Sequence, residues 1–169
     1  KWAIADSVNR SALSSLLTNA HGNSTRRVVI LTTPAKVRRM PVFGGNTESF
    51  FRIHGGMAER VDVVSHVALC DPLAVVKCSW RDTTTLTLEF AEGEGEFLPL
   101  GAKTHLRESV IGAGNTIDSD AGTVVVAKLS KGGGVRAVDV SFADFDVRDS
   151  KVLLFTGGRF VPFALHAEE

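Results

Sequence analysis

The chain has 169 residues, 44% of them hydrophobic, which is enough for a substantial core. Nineteen basic and nineteen acidic residues cancel, so no overall field draws the protein towards nucleic acid or an anionic membrane surface. Cys70 and Cys78 form neither a disulfide framework nor a zinc-ligand pattern, and no apolar run approaches the length of a membrane span. We therefore predict one cytoplasmic domain over residues 1–169, with subdomains at 25–100 and 101–169 as the alternative. We expect no cofactor, no metal and no membrane partner.

The predicted elements are one helix followed by many short strands. Apolar residues at helical spacing over 6–20 predict a short amphipathic helix. Runs of β-branched residues separated by glycine clusters then predict strands. Short strands at regular spacing are typical of an antiparallel barrel or sandwich, so we predict a mainly β fold. The predicted strands are 27–32, 49–53, 61–64, 73–78, 84–90, 123–129, 135–142, 152–155 and 160–165.

Basic and acidic side chains are unevenly distributed along the chain. Residues 7–47 carry six lysines and arginines and no acid, whereas residues 82–96 carry five acids and no lysine or arginine. Basic residues can bind RNA phosphates, but no aromatic residue is interleaved with these as base stacking would require. A solvated face is therefore the favoured interpretation. The basic residues are Arg10, Arg26, Arg27, Lys36, Arg38 and Arg39.

A loop that precedes a valine-rich strand is the most informative motif. Ser119, Asp120, Ala121 and Gly122 lead into the strand predicted at 123–129. A serine or cysteine nucleophile needs such a loop, because its backbone N–H groups also stabilise the oxyanion and glycine lets the backbone turn sharply. Alanine has no nucleophilic atom, so this chain can perform no such chemistry at position 121. An ordinary turn is the alternative, since Asp and Gly are common turn residues.

Nucleophilic catalysis also requires a base and an acid that orients the base. His66 is the preferred base, because it follows the strand predicted at 61–64 and precedes further strands. Glu96 and Asp82 are the candidates for the acid: Glu96 by its Gly-Glu-Phe-Leu context, Asp82 because it is closer to His66 along the chain. The alternative interpretation makes His66 a hydrogen-bonded, partly buried histidine and Glu96 part of a solvated loop at 92–96.

These segments, in the order His66, acid, residue 121, resemble the chymotrypsin-like proteases of positive-strand RNA viruses, including self-cleaving leader proteases. The resemblance covers about residues 42–140, and those enzymes carry serine or cysteine where this chain has Ala121. It implies antiparallel β-barrels of chymotrypsin-like type and a substrate pocket shaped by Asp139 or Ser141. It also implies a peptide or polyprotein substrate, for which the chain's own C-terminus is one candidate. We therefore predict a viral-type endopeptidase domain of the host cytoplasm that is inactive without its nucleophile.

Two other functions stay open. A non-enzymatic β-sandwich or barrel subunit of a larger assembly, such as a capsid or scaffold, would use the glycine loops only to turn the chain. An RNA-binding module that uses the arginine-rich quarter would show affinity that falls steeply with salt. The distance from His66 to residue 121 distinguishes both functions from the protease. Proton transfer needs His66 within about 2.6–3.2 Å of a nucleophile restored at position 121.

Overall fold

The computed structural model describes residues 2–20, 27–42, 47–53, 58–98, 111–117, 119, 121–142 and 150–164. Over these residues the chain forms two helices and thirteen strands. The helices are α1 (Trp2–Ala20) and α2 (Thr47–Ile53). The strands are β1 (Arg27–Ile30), β2 (Thr33–Val37), β3 (Met40–Pro41), β4 (Arg60–Val63), β5 (His66–Leu69), β6 (Lys77–Trp80), β7 (Thr85–Glu89), β8 (Gly95–Leu98), β9 (Thr116–Ile117), β10 (Thr123–Leu129), β11 (Val135–Ser141), β12 (Ser150–Thr156) and β13 (Arg159–Pro162). None of the helices in these ranges is long and apolar enough to cross a membrane.

The predicted N-terminal helix is confirmed, although it begins at Trp2 rather than residue 6. Its buried stripe is Ala5, Val8, Ala12 and Leu16, which recur at three- and four-residue spacing and therefore lie on one face. The polar side of α1 covers the outer edge of β13. Ser15 Oγ accepts the Phe160 N–H at 2.8 Å. The Ser15 hydroxyl thus satisfies a backbone N–H at the sheet edge, which would otherwise be free to pair with another strand.

The prediction of a mainly β chain is confirmed, but purely antiparallel pairing is wrong. The first sheet has the order β13-β12-β1-β4, and β1 runs parallel to both β12 and β4. The second sheet has the order β3-β2-β5-β8-β11-β10-β9, with β7 joined to β11 and β6 joined to β7, and here β2 is parallel to β5. Neither sheet closes into a barrel over the described strands.

The parallel pairs arise because two neighbouring chain segments pass together from one sheet to the other. β1 leads through Leu31 and Thr32 into β2, and β4 leads through Val64 and Ser65 into β5. Ser65 Oγ donates to Leu31 O at 2.6 Å, and Val64 N–H donates to Ile30 O at 2.8 Å. Hydrogen bonds between the two segments therefore continue while both pass from the first sheet to the second. The residue pattern of a single strand cannot predict this pairing.

Three local predictions are also corrected. The strand predicted at 49–53 is helix α2, in which Glu48 and Arg52 pair across one turn and Phe51 is buried. The strand predicted at 73–78 is a turn followed by irregular chain, and β6 begins only at Lys77. The loop predicted at 92–96 ends in strand β8, so Glu96 lies in a paired strand instead of a solvated loop.

Candidate functional site

Ala121 is a buried residue held in a local turn. It is 4% exposed, and it packs with the core of the second sheet. The Ser119 hydroxyl donates to Ala121 O at 2.8 Å and accepts the Ala121 N–H at 3.1 Å. The backbone N–H that would stabilise an oxyanion at this position is therefore already occupied. Asp120, the other residue predicted for this loop, lies outside the described residues.

Gly122 allows this loop to approach β11 closely. Its φ is +76°, and a Cβ at this position would lie 2.7 Å from the backbone oxygen of Ser141. Any side chain here would therefore have an unfavourable backbone conformation. It would also clash with the Ser141 backbone oxygen, which can shift only at a cost in free energy. We refer to residues 119 and 121–123 as the 121 loop. Turn formation and packing account for the contacts of these described residues.

Asp82, Asp139 and Ser141 lie at the same end of the second sheet as the 121 loop. Thr123 pairs with Ser141, which also pairs with Thr85. A small cavity of about 330 Å³ lies here, and the predicted pocket residues Asp139 and Ser141 line it. Its further lining residues are Arg81, Asp82, Thr85, Thr123 and Val125.

The acids in this cavity are already bonded to protein groups. Asp139 is ion-paired with Arg81 at 2.5 Å and accepts the Thr87 hydroxyl at 2.6 Å. Asp82 accepts the N–H groups of Thr84 at 2.9 Å and Thr85 at 2.8 Å, which makes a turn before β7. The Thr84 N–H bond is the main cause that lowers the pKa of Asp82 below its ordinary value. Asp82 therefore organises a turn.

His66 and Glu96 lie at the opposite end of the same sheet. His66 pairs with Leu98, and Phe97 pairs with Val135, so His66 is level with the start of β11. The 121 loop is level with the last residue of β11, Ser141. At about 3.3 Å per residue, the length of β11 separates His66 from the 121 loop by on the order of 20 Å. The structure therefore does not bring His66 within hydrogen-bond reach of position 121.

His66 and Glu96, in contrast, are diagonal neighbours on one face. Ala68 pairs with Glu96 in the antiparallel β5–β8 ladder, and His66 lies two residues before Ala68. Alternation along β5 puts His66 and Ala68 on the side opposite buried Val67. The predicted base and its preferred acid thus share a surface, but neither the nucleophile loop nor Asp82 joins them there.

A larger groove lies on this outward face of the second sheet. It encloses about 890 Å³ and crosses β2, β5, β8 and β11. We call it the basic groove. Its charged lining residues are Lys36, Arg38, Arg39, Glu92, Glu96 and Arg136, and its floor includes Ala68, Gly95, Leu98, Ser130 and Gly134.

Three of the cations in the basic groove are exposed and lack an acidic partner in the described part of the chain. Lys36, Arg38 and Arg39 are exposed, and none forms an ion pair with any described residue. Arg136 is different, because it pairs with Glu89 at 3.0 Å and with Glu92 at 2.8 Å. Among its described lining residues, the groove therefore carries three positive charges without an ion-pair partner. Glu96 carries the one negative charge there that also lacks an ion-pair partner.

Arg38 and Arg39 occupy an unfavourable backbone conformation. They are the two residues between β2 and β3, where Val37 pairs with Met40, and their φ angles are +47° and +67°. A two-residue hairpin with both φ values positive is a type I′ turn, which strongly prefers Asn-Gly. The Arg38 N–H donates to Leu69 O at 2.7 Å, which anchors the turn to β5. Two arginines are thus held at a strained tip beside the groove.

For Lys36, Arg38 and Arg39, the sequence favours a solvated face over a binding role. The signal that could have singled them out is the pair of arginines between two apolar strand ends, with no glycine or asparagine to form the turn. Arg27, grouped with them, instead forms an ion pair with buried Asp62 at 2.5 Å. Arg26 lies outside the described residues.

The cysteines and metal-ligating residues suggest no further chemistry. Burial raises the pKa of the Cys78 thiol to about 11, so it is protonated at neutral pH. Cys70 is an exposed free thiol. Within the described ranges, no three His, Cys, Asp or Glu side chains come together as a metal site.

The chain was compared with protein-family models, curated proteins and solved structures. No family model, curated protein or solved structure matches it.

Proposed function

We propose that this protein binds the phosphate backbone of nucleic acid in the basic groove. The observation that carries the proposal is the strained turn, which holds Arg38 and Arg39 exposed and unpaired among the described residues. Strained backbone conformations of this kind cost about 1–3 kcal/mol each and cluster at functional sites. A less strained Asn-Gly turn would form the same hairpin, so the presence of two arginines at this position favours a role for their charge.

The position of Lys36 supports the same function. Lys36 lies on β2 two residues before the turn, and it faces solvent between buried Ala35 and Val37. The three cations therefore border one end of a groove whose floor is made of small or apolar residues. Arginine and lysine are the residues that contact phosphate most often, and arginine does so with two parallel hydrogen bonds.

The same charges set the expected strength of binding. The chain has no net charge, so long-range attraction is weak and binding depends on local contacts. Aromatic side chains are missing from the groove's described lining, so the stacking that strengthens single-strand binding is not available there. We expect sequence-independent affinity with a dissociation constant of about 10⁻⁴–10⁻⁶ M at physiological salt.

The test is oligonucleotide affinity as a function of salt. Three phosphate contacts predict that log K falls with log salt concentration with a slope of about −2, because each contact on a single strand contributes about −0.7. The variant Arg38→Gln/Arg39→Gln should reduce the magnitude of that slope by about 1.4. Arg159→Gln is the matched control, because Arg159 is exposed on β13 in the other sheet. Equal losses in both variants, or binding without salt dependence, would overturn the proposal.

The endopeptidase remains a prediction from sequence resemblance. Buried Ala121, the occupied N–H at that position and the remote His66 argue against it. Restoring serine at position 121, in a precursor with extra residues after Glu169, should therefore give no cleavage. Cleavage that His66→Ala abolishes would reverse this ranking.

A further inference from the structure

Glu96 is the feature of the basic groove that phosphate binding leaves unexplained. A carboxylate in the same groove as three cations repels phosphate and lowers the affinity of the site for any polyanion. Glu96 forms no ion pair with the described residues, although Lys36 lines the same groove. A ligand that brings a hydrogen-bond donor to this carboxylate would offset that repulsion.

The register defines how Glu96 and Lys36 face each other. Lys36 pairs with Ala68, and Ala68 pairs with Glu96, so the three residues form one row on the solvent face of the sheet. Neighbouring strands are about 4.8 Å apart, so the backbones of Lys36 and Glu96 are separated by about 10 Å. Because the Ala68 side chain is only a methyl group, a gap remains between the Lys36 and Glu96 side chains. We call this gap the slot.

The position of the Glu96 carboxylate depends on a glycine. A Cβ built at Gly134 would collide with Glu96 Oε2, so the carboxylate occupies the space that a side chain at position 134 would fill. Gly134 itself is held by hydrogen bonds with Ser130, from Gly134 N–H to Ser130 Oγ at 3.1 Å and from Ser130 N–H to Gly134 O at 2.8 Å. The carboxylate therefore lies over the β10–β11 turn at the far side of the slot.

We propose that Glu96 accepts the 2′-hydroxyl of a ribose whose phosphates are bound by Lys36, Arg38 and Arg39, so that the groove selects RNA over DNA. This inference rests on the proposed function. The 2′-hydroxyl is the group that distinguishes RNA from DNA, and acidic side chains are used elsewhere to bind ribose hydroxyls. A DNA strand would bring its phosphates to the same cations but leave the carboxylate without a donor.

The experiment compares an oligouridylate with the 2′-deoxy oligomer of the same sequence and length. The unchanged protein should bind the RNA about fivefold more tightly, which is the effect of about one hydrogen bond. Glu96→Ala should bring the ratio of the two affinities close to one, with tighter DNA binding because the repulsion is gone. Glu94→Ala is the matched control, because Glu94 is two residues earlier and does not line the groove.

A second variant tests position without changing charge. Gly134→Ala displaces the Glu96 carboxylate and should also lower the preference for RNA, while the salt slope stays unchanged. If neither oligomer binds with salt dependence, the proposed function fails. If both bind but their affinities are equal, or if Glu96→Ala and Gly134→Ala leave the preference intact, the selection of RNA by Glu96 fails and the phosphate groove stands.

Discussion

The two edges of the second sheet, β3–β2 on one side and β10–β9 on the other, differ in how their polar groups are satisfied. In the 121 loop, Ser119 satisfies both backbone groups of Ala121, and the alanine side chain is buried. At the β2–β3 turn, two arginines are exposed in a strained conformation, and neither has an ion-pair partner among the described residues. Satisfied and buried groups of this kind serve the fold, whereas the strained backbone at the surface is the observation on which the proposed phosphate site rests. The loop with the sharper sequence motif is thus the weaker functional candidate.

Gly122→Ala should produce the largest effect on stability. The new Cβ would meet the Ser141 carbonyl at 2.7 Å and would hold alanine at φ +76°. We expect a loss of about 3 kcal/mol in the free energy of unfolding, measured by urea denaturation. Gly133→Ala is the control, because Gly133 also has positive φ but a Cβ there would meet no atom within 4 Å. Equal losses in the two variants would show that close packing at the 121 loop is unimportant.

Ala121→Ser should destabilise the protein and add no peptidase activity. The new hydroxyl would be buried where Ser119 already uses both neighbouring backbone groups, so it costs about 1–3 kcal/mol if it finds no partner. Thermal unfolding measures the loss, and a fluorogenic peptide assay checks for activity. A variant as stable as the parent would mean that the new hydroxyl finds a hydrogen-bond partner, and cleavage of the peptide would reopen the catalytic interpretation.

Arg38→Asn/Arg39→Gly should stabilise the protein and weaken its binding to oligonucleotides. Asn-Gly is the preferred type I′ sequence, so removing the strain should raise the free energy of unfolding by about 1 kcal/mol or more. Differential scanning calorimetry measures the gain, and the salt titration measures the loss of binding. A destabilised variant would mean that the arginines serve the hairpin itself.

Asp82→Asn should have the smallest effect, and that effect should depend on pH. Hydrogen bonds from Thr84 and Thr85 lower the pKa of Asp82 in the folded protein below its unfolded value of about 3.9. The carboxylate therefore stabilises the fold above that pH, and the contribution disappears as pH falls through the folded pKa. Melting temperatures of the variant and the parent should differ at pH 7 and converge as pH falls through the lowered folded pKa. A difference that persists in acid would mean that the negative charge is not responsible.

Much of the strand content could be predicted from residue pattern. The strands β7, β10, β11 and β12 follow β-branched runs whose bounds the sequence places within two residues. The β2 strand was missed because Pro34 interrupts the run, although its pairing with β5 tolerates the proline at a register shift. The segment at 49–53 misled because its aromatic residues suit a strand, whereas the Glu48–Arg52 pair and burial of Phe51 favour a helix turn.

The candidate site was predictable only in part. His66, Glu96, Lys36 and Arg38 were all named from sequence, but the chain order of His66 and Glu96 suggested a triad with position 121, and Lys36 and Arg38 were assigned to a separate basic face. Pairing of β5 with β8 and of β8 with β11 determines which of these residues meet. Order along the chain carries no information on the end of a sheet at which a residue lies, because that depends on register between strands far apart in sequence.

By itself, the sequence determined the N-terminal helix and the strands that coincide with β-branched runs, because these follow from local periodicity and propensity. Tertiary structure alone decided that β1 and β4 cross together into the second sheet and that the length of β11 separates His66 from the 121 loop. It also placed Lys36 opposite Glu96 across Ala68. These juxtapositions depend on hydrogen bonding between distant strands, which no local pattern specifies.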